Sequence, residues 1–184
     1  MLPPSLGPVR LVGVDGHAGS GKSTFADRLA SALGGAPVLR LDDLASHDAL
    51  FGWTERLRGQ VLEPLGRGEP ARYEVYDWVR RGYLAEGVLP PAPVVLLEGV
   101  GAGRSGVRPH LACLLWMDMD RETAHARGMR RDGPQLREFW DGWTHAERTH
   151  FAEDPSSAHA NFLVRECPEC TEGYEIREGP ERHP

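Results

Sequence analysis

Of the 21 lysine and arginine residues in the chain, only Lys22 is a lysine, and it lies in a glycine-rich run. The run has the spacing of a phosphate-binding (Walker A) loop, with two glycines separated by four residues and followed by Lys and Ser: Gly16-His17-Ala18-Gly19-Ser20-Gly21-Lys22-Ser23-Thr24. Glycines let the backbone turn so that successive N–H groups point inward and hold the phosphate oxygens of a nucleotide. Lys22 would supply an ammonium to the β- and γ-phosphates, and the Ser23 hydroxyl would ligate Mg²⁺. The alternative is a glycine-rich turn that only joins a strand to a helix.

Three carboxylates that follow apolar runs are candidates for metal and proton chemistry. Glu98 ends the run Val-Val-Leu-Leu, where a carboxylate can order Mg²⁺ or its water shell; the alternative is an ordinary acid at a strand end. Phosphoryl transfer also needs a group that takes the proton of the acceptor, and Asp42 is the candidate general base. Asp43 is assigned to the acceptor site, with a metal-bound water or a helix cap as other roles. The sequence leaves open which of the two aspartates is the base.

Three arginines have the spacing of one helix face: Arg127, Arg130 and Arg131 stand at i, i+3 and i+4. The Asp-Gly-Pro that follows them is typical of the hinge of a lid, so a lid is predicted over about 127–136. Arg127 and Arg131 are assigned to the transfer of the phosphoryl group and Arg130 to nucleotide binding. The alternative is a solvated basic face.

Aromatic residues form a second group. Tyr73, Tyr76 and Trp78 lie in a stretch without helical period, and Tyr76 and Trp78 are candidates for contact with a planar acceptor, against core packing as the alternative. Trp140 and Trp143 are predicted to pack a helix against the sheet, with stacking on a ligand as the alternative.

The elements that position these residues alternate between strands and helices. Buried strands are predicted at 9–14, 37–41, 94–97, 111–117 and 161–164, and helices at 23–33, 49–65 and 121–131, with another over the apolar stripe 136–143. This order predicts an α/β fold with a parallel sheet covered on both faces. Ligands of such sheets bind at the carboxyl ends of the strands. The glycine-rich loop, Asp42, Asp43 and Glu98 are therefore expected around one cleft.

Composition narrows the classes of function. At 184 residues, 40% of them hydrophobic, the chain is predicted to form one domain over 1–165, followed by a polar tail over 166–184. The net charge of −6 argues against a nucleic-acid-coating surface. No apolar run has the length of a membrane span and no signal sequence is recognised, so a cytoplasmic protein is predicted; a homo-oligomer is left open. Three cysteines suit a reducing compartment, and Cys167 and Cys170 resemble half a zinc site or a redox pair, with two tail thiols as the favoured alternative.

The residues together resemble the uridine kinase and phosphoribulokinase branch of the P-loop kinases, over residues 10–165. The resemblance rests on the glycine-rich loop and on the segments Leu41-Asp42-Asp43, Tyr76-Asp77-Trp78-Val79, Leu97-Glu98-Gly99-Val100, 127–132 and Ala160-Asn161-Phe162-Leu163-Val164. It implies a three-layer α/β sandwich with a five-stranded parallel sheet, ATP as the donor, Asp42 as the base and Tyr76 at the acceptor pocket.

The chain departs from the pattern of the uridine kinases at the acceptor site. Arg80 and Arg81 stand where those kinases carry a histidine that recognises the pyrimidine, and their Phe-Asp-His-Pro segment is replaced by a region containing Gly52 and Trp53. Arg81 is therefore assigned to the acceptor site, and the arginine pair suggests an acceptor with negative charge or several carbonyls. The expected function is an ATP- and Mg²⁺-dependent small-molecule kinase. One alternative is a nucleotide-dependent ATPase or switch without a small-molecule acceptor. Another is a binding protein that has lost catalysis, which would fit if Asp42 were remote from the γ-phosphate.

Overall fold

The computed structural model describes residues 2–167 and 173–180. Its strands are β1 (Arg10–Asp15), β2 (Val38–Arg40), β3 (Ala71–Asp77), β4 (Gly82–Leu89), β5 (Val94–Glu98), β6 (Leu111–Met117), β7 (Phe162–Cys167) and β8 (Gly173–Glu178). Its α-helices are α1 (Lys22–Ala32), α2 (Thr54–Leu57), α3 (Glu63–Gly66), α4 (Arg121–Asp132) and α5 (Arg137–Glu153). A π-helical turn, Arg58–Leu62, joins α2 to α3. The helix expected over 49–65 thus begins five residues later and contains a widened turn.

The main sheet has six strands in the order β2-β5-β1-β6-β7-β8. The first five are parallel, which confirms the predicted α/β class, and β8 adds an antiparallel edge to β7. The central strands are apolar runs because helices and the connecting chain cover both of their faces. One core cluster includes Leu39, Leu57, Leu65 and Leu97, and a second on the other face of the sheet includes Val14, Phe25 and Met117.

The chain after residue 165 differs from the predicted polar tail. Residues 173–178 pair with β7, with Val164 opposite Ile176, and the ring of Tyr174 packs edge-on against Phe25 at 4.9 Å between centroids. The alternation of Tyr174 and Ile176 with polar residues is typical of a strand. Tyr174 is partly buried, whereas Ile176 is 58% exposed. Cys167 is disulfide-bonded, Cys113 is a buried free thiol, and Cys170 lies outside the described residues.

The stretch around the predicted acceptor aromatics is a β-hairpin and not irregular chain. β3 and β4 pair antiparallel, and Arg81, at φ 57°, lies in the turn between them. A register irregularity between Val75 and Tyr76 lets Tyr76 face the core. Before it, Ala71 and Tyr73 face the core, whereas Arg72 and Glu74 are exposed. This period of two is what the sequence reading missed. None of the helices within the described residues is long and apolar enough to cross a membrane.

Candidate active site at the carboxyl ends of the strands

The glycine-rich loop connects the end of β1 to the first turn of α1, as a phosphate-binding loop must. Gly21 precedes the helix at φ 91°, a left-handed conformation that L side chains rarely adopt. Lys22 is 93% buried, and its Nζ reaches back across the loop to donate to the carbonyl oxygen of His17 at 2.8 Å. The helix N-terminus and this ammonium together create a site with positive potential for an anion.

Gly19 has no room for a side chain, because it lies against the backbone of α4. A Cβ at this position would lie 2.1 Å from the carbonyl oxygen of Ala124, and φ is already +87°. Gly34 has a similar φ of +78° but open space around it.

We expect Gly34→Ala to lower the free energy of unfolding by about 1 kcal/mol through backbone strain alone. Gly19→Ala should cost at least about 2 kcal/mol more, because the carbonyl must also move. Urea unfolding of both variants tests this; equal losses would show that the close approach to α4 has no effect.

Two buried carboxylates hold the loop from outside. Asp15, at the end of β1, accepts the N–H groups of Gly16 (2.7 Å) and Gly101 (2.8 Å) on Oδ1 and that of Gly103 (2.8 Å) on Oδ2. Glu147 of α5 accepts the N–H of Ala18 at 2.7 Å. Neither Asp15 nor Glu147 was predicted from the sequence as a site residue. An acid that ends an apolar strand was a local signal for Asp15, but nothing near Glu147 in the sequence indicated its partner.

Ser23 and Glu98 meet beside the loop and supply oxygen atoms suited to Mg²⁺. The Ser23 hydroxyl donates to Glu98 Oε1 at 3.3 Å, and Arg40 donates to Glu98 Oε2 at 3.0 Å. Burial raises the pKa of the Glu98 carboxyl, while the charges of Lys22 and Arg40 oppose this shift. Among the described residues no group of three or more His, Cys, Asp or Glu forms a metal cage. One carboxylate and one hydroxyl beside a phosphate site nevertheless fit Mg²⁺, which keeps several waters and takes its remaining ligands from phosphates.

A cavity of about 670 Å³ opens over the loop at the carboxyl ends of the strands. Eleven of the predicted site residues line it: Ala18, Gly19, Gly21, Lys22, Ser23, Thr24, Asp42, Trp78, Glu98, Arg127 and Arg131. The other predicted site residues are not among its lining residues: Gly16, His17, Ser20, Asp43, Tyr76, Arg81 and Arg130. Topology therefore brings residues from five separate segments of the chain to one place.

The two aspartates after β2 have different surroundings. They lie in a short 3₁₀ turn, Leu41–Asp43, in which Asp42 is exposed and faces the cavity. Asp43 is partly buried, and burial and the neighbouring Asp42 charge raise its pKa. The indole N–H of Trp78 donates to the backbone carbonyl of Asp42 at 3.0 Å and so ties the hairpin to this turn.

Two of the three helix arginines reach the cavity, and each is paired with an acid. Arg127 makes two hydrogen bonds to Glu166, at 2.8 and 3.1 Å. Arg131 contacts Asp132, at 2.6 and 3.0 Å. Arg130 is exposed and does not line the cavity, because one residue turns the side chain by about 100° around the helix from Arg131.

An aromatic wall, which we define as His47, Trp78 and Phe139, lines the cavity together with Asp42, to whose carbonyl Trp78 is hydrogen-bonded. Its three rings contact one another, with centroids 4.9 to 6.0 Å apart. Tyr76 lies behind the wall and is buried, with its hydroxyl 3.0 Å from His47 Nδ1. The sequence reading missed His47, since a single histidine in a loop gives no signal of its neighbours. Arg81 is exposed in the hairpin turn, so the expected arginine contact with an acceptor has no support in the cavity.

Trp140 and Trp143 are both buried, as the sequence predicted. They pack with Val100 in one core cluster, and their rings also line the cavity. Core packing and cavity lining are therefore not alternatives for these two residues.

Comparison with known proteins identifies solved structures that share the fold of this chain. No sequence profile of a known family matches the chain, and no curated protein matches it. A solved structure described as a possible uridine kinase from Bacillus stearothermophilus superposes with a TM-score of 0.62 at 18% identity, covering 84% of this chain and 87% of that one. A protein from Silicibacter sp. TM1040, provisionally assigned as a fructose transport system kinase, superposes with a TM-score of 0.55 at 21% identity, covering 66% of this chain and 71% of that one. The chain therefore shares the α/β fold of these two structures, with a mostly parallel six-stranded sheet.

Proposed function

We propose that the protein is an ATP- and Mg²⁺-dependent kinase that transfers the γ-phosphoryl group to a hydroxyl of a nucleoside, sugar or related small metabolite. One observation carries this proposal: a single cavity is lined by the phosphate-binding loop, by Asp42 and by the aromatic wall. Its volume of about 670 Å³ suits small molecules, for which pockets of about 300–1,000 Å³ are usual. A protein that only hydrolysed a nucleotide would not need an aromatic wall beside a carboxylate in the same cavity.

Each group of site residues has its own role in the proposed reaction. The N–H groups of the loop and Lys22 bind the phosphates of the nucleotide. Ser23 and Glu98 would hold Mg²⁺, which supplies charge neutralisation between the phosphates when it is bound. Asp42, exposed in the cavity, takes the proton of the acceptor hydroxyl as that oxygen attacks the γ-phosphorus and the bond to the β-phosphate oxygen breaks. Arg127 and Arg131 bring positive charge to the transferring group after they leave Glu166 and Asp132.

Turnover of ATP with Mg²⁺, measured alone and with a panel of nucleosides, sugars, sugar phosphates and carboxylates, tests the proposal. Stimulation by one compound, with formation of its phosphorylated product, supports a kinase. Turnover that no compound changes would support the ATPase instead, and the kinase proposal would fall. Lys22→Ala serves as the control for a contaminating ATPase, because it should remove any turnover that belongs to this site.

The aromatic wall predicts that the acceptor has a flat face. Replacing Trp78 by alanine should raise the KM of the acceptor about tenfold, since stacking on an aromatic side chain contributes about 1–3 kcal/mol per ring. Trp78→Phe keeps a ring but lacks the N–H that binds the carbonyl of Asp42, so it separates stacking from positioning of the aspartate. Steady-state kinetics on the compound identified in the panel gives the measurement.

Arg81→Ala provides the matched comparison from the same hairpin. Because Arg81 is exposed and outside the cavity, its removal should leave the acceptor KM unchanged within about twofold, as is usual for surface substitutions. A large effect at Arg81 and none at Trp78 would contradict a flat acceptor and restore an anionic one.

A further inference from the structure

Glu147 is a buried acid whose described contacts both go to the phosphate-binding loop. It lies on α5, is 96% buried, and accepts the backbone N–H of Ala18 on Oε1 at 2.7 Å. Its other oxygen, Oε2, lies 3.4 Å from His17 Nδ1. Neither contact is explained by the packing of α5 alone, because an apolar residue would fill the same space without burying a charge.

The charge on Glu147 is maintained by the loop itself. Burial alone would raise the pKa of this carboxyl, but the contacts with His17 and Ala18 and the nearby charge of Lys22 lower it below its usual value. A negative charge so close to a phosphate site repels an anion. A contribution of Glu147 to the order of the loop would offset this repulsion. The structure shows two hydrogen bonds that order the loop: Glu147 accepts the N–H of Ala18 at 2.7 Å, and the carbonyl of His17 accepts from Lys22 Nζ at 2.8 Å.

The position of Glu147 on α5 connects the loop to other walls of the cavity. The same helix carries Phe139 of the aromatic wall, and Trp140 and Trp143, which line the cavity. The helix begins immediately after the segment 133–136, which the sequence predicted as part of a lid. Ala18 packs against the cluster that Trp140 and Trp143 form. A shift of α5 therefore acts on the loop through both a hydrogen bond and apolar contacts.

We propose that Glu147 is a positioning residue, which fixes residues 17 and 18 of the loop in the conformation that binds phosphate and couples the loop to α5. The inference extends the proposed function, because the anion in question is the nucleotide. Its first consequence, however, concerns the protein without a ligand: the amide of Ala18 is protected from solvent by a side chain more than 100 residues away.

The experiment uses three variants of the full chain: Glu147→Ala, Glu147→Gln and, as a control, Glu153→Ala, which removes an exposed acid from the same helix. Hydrogen exchange of the loop amides is measured without ligand, and binding of ATP with Mg²⁺ is measured by calorimetry. We expect Glu147→Ala to speed exchange at Ala18 and to raise the Kd of ATP about tenfold or more, as for loss of a buried hydrogen bond to a charged group. Glu147→Gln keeps an acceptor oxygen and should recover part of both effects, and Glu153→Ala should change neither.

The outcomes separate this inference from the proposed function. Unchanged exchange at Ala18 in Glu147→Ala would overturn it, and so would a rise of the same size in β1 and α1, which would indicate general destabilisation. If Glu147→Ala does not fold, Glu147→Gln decides: an unaltered ATP Kd together with unaltered exchange at Ala18 overturns the inference. If the wild-type protein binds no ATP but Glu147→Ala speeds exchange only in the loop, the kinase proposal fails and the positioning of the loop by Glu147 is supported.

Discussion

Replacing Lys22 by alanine should abolish the heat of ATP binding in the presence of Mg²⁺ and reduce phosphoryl transfer by at least a factor on the order of 10²–10³. Lys22 is the one lysine or arginine of the loop, and it is 93% buried with its ammonium hydrogen-bonded to the carbonyl of His17. Because the surroundings exclude water, the charge is poorly screened and its loss is not compensated by solvent. Isothermal titration calorimetry and turnover assays provide the two measurements.

Lys22→Arg is the informative companion to this variant. Arginine keeps the charge but spreads it over a planar fork, which cannot reach the carbonyl of His17 at 2.8 Å in the way that a slender ammonium does. We therefore expect Lys22→Arg to bind ATP weakly and to remain nearly inactive. ATP binding by Lys22→Ala with wild-type affinity would show that the Lys22 ammonium does not bind the phosphates, and the assigned role of this residue would fall.

Asp42→Asn should lower kcat by about 10²–10⁴, the usual contribution of general acid–base catalysis, while the Kd of ATP stays close to that of the wild type. The side chain of Asp42 is exposed in the cavity, and it takes no part in the described hydrogen bonds of the phosphate-binding loop. Asparagine has nearly the same shape but does not accept a proton at neutral pH. The change should therefore affect the chemical step and not the binding of the nucleotide.

Asp43→Asn is the control, since Asp43 is adjacent but partly buried and does not line the cavity. It should reduce kcat much less than Asp42→Asn. If the two variants exchanged these results, Asp43 would be the base and Asp42 a residue of the acceptor site. If neither changed kcat, proton transfer to a carboxylate of this turn would not be part of the reaction.

The sequence predicts best the features that depend on neighbouring residues. Strand, glycine-rich loop and helix appear where expected, because apolar periodicity and the spacing of Gly21, Lys22 and Ser23 are local properties. The rule for ligands of parallel sheets then correctly placed Asp42 and Glu98 at the same cavity, although 55 residues separate them in the chain. The position of both residues at the carboxyl ends of parallel strands is enough for this prediction, without any knowledge of a direct contact between them.

Features that depend on distant partners were missed. Glu147 and Ala18 are 129 residues apart, and His47 meets Tyr76 and Phe139 only after the hairpin and α5 have packed. The sequence predicts Arg81 at the acceptor because its position matches a family residue, but Arg81 is exposed in the hairpin turn and does not line the cavity, whereas Trp78 and Val79 of the same turn do. Spacing along a sequence does not determine which way a hairpin turn points, because that depends on register and twist.

The antiparallel β8 has a consequence for association between chains. An unpaired strand edge can recruit a strand from another molecule, and proteins limit this with short edges or charged ones. One edge of the main sheet is β2, of only three residues, and the other is β8, where Glu175, Arg177 and Glu178 place charge along an exposed strand. Both edges are thus poor templates for aggregation. Within the described residues, β4 offers a longer strand edge of eight residues, with Leu84 and Val88 exposed, at which a strand of a neighbouring chain could pair.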